Sequence, residues 1–222
     1  MCGIVGVYKT GKIDVGLKNK FYNLMINNIK RGDSAYGFMT EKLLYKELGE
    51  FMHLPNISGT QYILGHVRAP TEGSSNIISN THPFETEHFF LAHNGLLYNW
   101  KDLAKEWNLN VNMDSKLIVN MIESLYTSEG SSKSNVVESI KFTCQKLQGS
   151  FACWLLDKQT NNIYIFRCIS PIKYTDRYFS SEKGDTELPE GKIMLFNTKQ
   201  IVDIFDYYTP YVYDFPELKK GD

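Results

Sequence analysis

Two short stretches hold residue types able to do covalent chemistry. The first is the run MCGIVGVY at 1–8. Initiator methionine is normally trimmed before a residue as small as cysteine, so the mature chain is expected to start at Cys2, with a thiol and an α-amine on one residue. A chain-end amine has an unperturbed pKa of about 7.7–8.0 and a free thiol about 8.5, so near neutral pH the amine can take a proton as the sulfur attacks. No histidine is then required as base. The second stretch is AHNG at 92–95. Asn94 offers a side-chain amide and Gly95 an unobstructed backbone N–H, the two kinds of donor that a developing oxyanion needs. Each feature also has a plainer reading, since cysteine often serves as a small buried hydrophobe and Asn-Gly commonly forms a turn.

The elements that must position these groups can be read from periodicity. GIVGVY, QYILGHVRAP, EHFFLAHNG, SFACWLLD and NIYIFRCI are apolar or alternating runs bounded by turn residues, the pattern of strands buried on one or both faces. VGLKNKFYNLMINNIK, DSKLIVNMIESLY and NVVESIKFTCQKLQG carry apolar residues at helical spacing, the last closed by a glycine. Runs of strands interrupted by a helical pair predict an α+β layered fold, not a regular alternation around a parallel sheet. TSEGSSKSN reads as a polar connection between helices.

Composition narrows the partners. The 222 residues are 42% hydrophobic with a formal net charge of -1, enough to bury a full core and without electrostatic bias toward nucleic acid or an anionic membrane. The sequence shows neither a bilayer-length apolar stretch nor a signal peptide, so a cytoplasmic location is expected. Cys2, Cys144, Cys153 and Cys168 have no CxxC spacing, which argues against a zinc site or a disulfide framework, and no cofactor or metal is expected.

Taken in order, MCGIVG, RGDSAYG, GHVRAPT, THPF, HNG, MDSKLI, LQGSFA and SPIKY followed by RYFSSE resemble the class II glutamine amidotransferases, which are N-terminal-nucleophile hydrolases. The resemblance extends over nearly the whole chain and implies a single domain over 1–222. It also implies a four-layer αββα sandwich of two antiparallel sheets. By this resemblance Cys2 is the nucleophile that attacks the side-chain amide of glutamine, releasing ammonia and leaving a thioester. Asn94 and the Gly95 backbone match the oxyanion hole, and Arg68 matches the arginine that grips the α-carboxylate, as a guanidinium can with two parallel bonds. Thr71 matches a threonine of the same pocket and Asp114 the acid that receives the α-ammonium, although Asp at a helix start also serves as a cap. Arg31 and Asp33 match residues that shape the pocket wall.

Departures from the family pattern are local. Ala69-Pro70 stands where an aromatic residue commonly follows the arginine, and the register around Arg31 differs by one residue. His82 reads as structural. The segment TEGSSNIISN at 71–80 is expected to be a loop over the pocket, and PYVYDFPEL at 210–218 an edge strand or a docking tail. A separate ammonia-accepting synthase or transferase is the expected partner, with glutamine as substrate. Two alternatives stay open: an N-terminal-cysteine amide hydrolase of the choloylglycine or penicillin acylase type, and a catalytically silent glutamine-binding scaffold.

Overall fold

The protein is described by a computed structural model over residues 2–69, 77–128 and 135–204. In chain order its elements are β1 (Gly3–Tyr8), α1 (Val15–Asn28), β2 (Ala35–Met39), β3 (Leu44–Leu48), β4 (Tyr62–Arg68), β5 (Phe84–Glu85), β6 (Phe89–Leu97), α2 (Trp100–Glu106), α3 (Asp114–Ser128), α4 (Val136–Lys146), β7 (Gly149–Asp157), β8 (Ile163–Cys168), β9 (Lys173–Tyr174), β10 (Tyr178–Ser180), β11 (Thr186–Glu187), β12 (Lys192–Leu195) and β13 (Gln200–Asp203). Short 3-10 turns lie at Ile29–Arg31 and Ile78–Asn80.

The strands form two sheets, one of order β11-β9-β10-β1-β4-β2-β3 and one of order β13-β12-β8-β7-β6-β5. Alternation along each strand decides what its two faces meet. On β1, Val5 and Val7 face α1 and pack with its Leu17, Phe21 and Leu24, whereas Ile4 points between the sheets with Leu64, Trp154, Ile165 and Phe179. On β7 the same switch sends Trp154 inward and Cys153 and Leu155 outward against Leu117, Met121 and Ile140 of the helices. The layers are therefore α1, sheet, sheet, and the group α2–α4, the αββα order expected.

Local signals explain most boundaries. Asp14 caps α1, its carboxylate accepting from Leu17 N at 2.8 Å, and Asn135 caps α4 by accepting from Val137 N at 3.0 Å. The glycine expected to close α4 instead opens β7. That helix ends at Lys146 with an extended Leu147, and Gly149 takes φ 136° where a Cβ would stand 2.2 Å from Leu96 O. The Asn94-Gly95 pair makes no turn, because β6 runs straight through it to Leu97. The hairpin β2–β3 and the short α2 carry too little periodicity to be read from the sequence. Thr71, most of 71–80 and the segment 210–218 lie outside the described residues. Among the described residues no helix is long and apolar enough to cross a membrane.

Trp154 joins both sheets at the centre of the sandwich: it is fully buried and donates from its indole to Gly65 O at 3.1 Å. Its replacement removes a large inter-sheet contact together with that hydrogen bond between the sheets. Trp154→Ala is expected to cost about 3–5 kcal/mol, read as a lowered urea midpoint at unchanged slope.

Candidate functional site

Cys2 precedes β1, and the antiparallel register Gly3↔Val67 brings it beside the end of β4, where Arg68 sits. Its Sγ lies 3.4 Å from Ala69 O. Arg68 is 4% exposed, and its carbonyl accepts from both Ser34 N (3.1 Å) and Ser34 Oγ (2.8 Å), so the RGDSAYG segment holds the strand end from behind. From the other sheet, β6 supplies Gly95, which takes φ 153° where a Cβ would lie 2.0 Å from Ser150 O. Only glycine leaves room there. Asp114 opens α3 and is 6% exposed; its carboxylate accepts from Ser115 N at 2.8 Å and from Leu97 N at 3.3 Å. Cys2, Arg68, Gly95 and Asp114, drawn from four distant segments, thus line one cavity together with His82 and His93.

The glutamine amidotransferase domain model matches residues 72–184, about half of the chain. The chain belongs to this family. Among curated relatives, glutamine–fructose-6-phosphate aminotransferase (isomerizing) of Bacillus cereus is 30% identical over 93% of this chain and 35% of its own length. Amidophosphoribosyltransferase of Methanothermobacter thermautotrophicus is 27% identical over 88% of this chain and 43% of its own. The chain therefore spans less than half the length of the curated relatives it matches. Among solved structures, the glutamine phosphoribosylpyrophosphate amidotransferase of B. subtilis superposes with a TM-score of 0.69 at 17% identity, covering 93% of this chain and 50% of that one. That likeness bears on the fold, which is the N-terminal-nucleophile hydrolase sandwich of two antiparallel sheets.

Three residues of this glutamine amidotransferase domain sit elsewhere than the pocket-facing positions expected for them. Asn94 is 1% exposed but is not among the lining residues; its Nδ2 reaches back 3.5 Å to Ser181 Oγ. Arg31 lies behind Cys2 and donates from Nε to the Cys2 carbonyl at 2.8 Å. Asp33 is exposed at the surface. Conversely, His82, read from sequence as structural, lines the cavity, and neither of its buried ring nitrogens has a hydrogen-bond partner among the described residues. His93 and Ser115 were also missed as lining residues. Their neighbours in AHNG and MDSK carried the signal that drew attention there.

The electrostatics favour neutral groups around the thiol. Burial raises the Cys2 pKa, with the nearby Arg68 charge opposing it and the Asp114 charge adding to it. The resting form is therefore the thiol. Burial lowers all three neighbouring histidines, His66 to about 3; its ring is tilted by 38° to that of His82 with centroids 3.9 Å apart, and its Nε2 lies 3.1 Å from His93 O. Asp114 pulls His93 the other way, its Oδ2 standing 3.8 Å from Nδ1.

These histidines make folding sensitive to acid. Between the unfolded value of 6.5 and about 3, an unfolded His66 binds a proton that the folded protein refuses. Stability is therefore whole above that window and declines as pH falls through it. The urea midpoint should drop steadily from about pH 7 to about pH 4, and a flat midpoint would contradict the burial argument.

Proposed function

We propose that this chain is the glutaminase part of a class II glutamine amidotransferase, hydrolysing the side-chain amide of glutamine and passing the ammonia to an acceptor. The observation that carries the reading is the convergence of Cys2, Arg68, Gly95 and Asp114 on one cavity. In this reading Arg68 takes the α-carboxylate and Asp114 the α-ammonium, so the amide carbon is held against Sγ. The raised Cys2 pKa means that a base must act at the moment of attack. Histidines depressed by burial are weak bases, whereas the α-amine of Cys2, exposed once Met1 is removed, has the right proton affinity.

The thiol proton passes to that amine as the S–C bond forms, and the carbonyl oxygen collects negative charge. The Gly95 N–H stabilises it, and the Asn94 amide is assigned as the second donor once its Nδ2 turns from Ser181 Oγ toward the cavity. The C–N bond then breaks, the amine returns its proton to the leaving nitrogen, and ammonia departs from a γ-glutamyl thioester. Water hydrolyses the thioester to glutamate and restores the thiol. Arg31 supports the nucleophile from behind, and Thr71 is assigned to the pocket wall. Residues 1–222 act as one domain in a cytoplasmic enzyme, with a synthase or transferase as the acceptor. The larger relatives, named for amino transfer to a sugar phosphate and to a phosphoribosyl group, support coupling to an acceptor.

Cys2→Ala should abolish ammonia release from glutamine while leaving the thermal midpoint near that of the parent protein; appreciable hydrolysis by this variant would end the reading. Binding and chemistry should separate elsewhere. Arg68→Lys keeps the charge but loses the fork, raising KM, whereas Asn94→Ala removes a transition-state donor and should lower kcat by about 10²–10³-fold. Parallel effects of the two on both parameters would contradict the assignment.

A further inference from the structure

The segment RYFSSE ends in a carboxylate to which the mechanism above gives no task. Glu182 lies just beyond β10, and its Oε1 accepts from Arg31 Nη1 at 2.7 Å. The same guanidinium donates from Nε to the carbonyl of Cys2 at 2.8 Å. The Arg31 and Glu182 side chains are 10% and 18% exposed, so this pair is largely removed from water. Glu182 Oε2 instead meets Lys30, which is 66% exposed. The Glu182 backbone is itself well anchored. Its own N–H donates to Ser180 Oγ at 3.1 Å, and the preceding Ser181 bonds to Ile4 twice, from N to the carbonyl at 3.0 Å and through Oγ from Ile4 N at 3.1 Å.

We propose that Glu182 is a positioning residue for the nucleophile, acting through Arg31 on the Cys2 carbonyl. This rests on the reading of Cys2 as nucleophile. Cys2 stands ahead of the first paired residue of β1, where a chain ordinarily frays. Holding its carbonyl fixes rotation about the Cα–C bond, and with Gly3 locked in the sheet that sets the directions of the amine and of the Cβ that carries Sγ. The Arg31 fork reaches the carbonyl only while its other arm is held at the correct distance. Withdrawing the Glu182 oxygen shifts the guanidinium away from the Cys2 carbonyl, and the nucleophile loses its aim. Glutamine affinity is untouched, because Arg68 and Asp114 belong to other strands and helices.

Two near-isosteric variants separate reach from charge. Glu182→Asp keeps the charge but draws the oxygen back by one methylene, and Glu182→Gln keeps the oxygen in place without the charge. Glutaminase kinetics of protein confirmed by intact mass to begin at Cys2 should show Glu182→Asp lowering kcat about tenfold with KM within about twofold. Glu182→Gln should keep at least about half of the parent kcat, and Lys30→Ala should match the parent. If Glu182→Asp is no slower than Glu182→Gln, or if Lys30→Ala loses as much as Glu182→Asp, the role is charge compensation and the proposal is overturned. A parent protein that begins at Cys2 and releases no ammonia overturns the underlying reading instead.

Discussion

The arrangement depends on one constraint: a residue at the very start of a chain must be held as firmly as one in a core. Ends fray because they have neighbours on one side only. Here β1 lies inside its sheet, paired with β4 through Gly3↔Val67 to Tyr8↔Tyr62 on one edge and with β10 through Val5↔Ser180 on the other. Both faces of the strand are also covered, by α1 and by the second sheet. The residue just ahead of such a strand inherits its rigidity, and Arg31 adds the last fastening at the Cys2 carbonyl.

The second sheet answers the first across the cavity. β6 runs through Asn94 and Gly95 without turning, and the crowding of Gly95 against Ser150 O shows how tightly β7 presses on it. Asp114 then closes the cavity from the start of α3, its oxygens tied to two backbone N–H groups. Each of these groups is fixed by backbone pairing or by a helix end, which is the preorganisation that an acyl-transfer site requires. The thiol, buried and raised in pKa, sits among neutral imidazoles, so little in its surroundings changes charge near neutral pH.

Much of this was legible in the residues. The long apolar runs gave β1, β4, β6, β7 and β8, and the amphipathic stretches gave α1, α3 and α4, because burial on defined faces writes itself into spacing. Cys2 and Gly95 were found from the chemistry their short motifs offer, and Arg68 and Asp114 because GHVRAPT and MDSKLI resemble motifs of the family. What escaped depends on distance along the chain. The partnership of Arg31 with Glu182 joins residues 151 apart, and no local pattern can announce it. His82 looked structural because its part in the cavity follows from how the segment after β4 returns to the site. The edge strands β3, β11 and β13 and the four-residue β12 were missed for a different reason: they are short or exposed, so they lack the strict alternation of a longer buried strand.

The position of β10 has a consequence in time. Ile4 and Ser181 are bonded to each other across 177 residues of sequence, and β1 has no partner on that edge until the chain has been made almost to that point. Synthesis delivers the thiol first and its scaffold last. Throughout elongation β1 can pair with β4 once that strand is made, while its other edge stays open until β10 docks. A chain cut short before Ser181 therefore carries the cysteine and the residues of its cavity but leaves that edge of β1 without its partner.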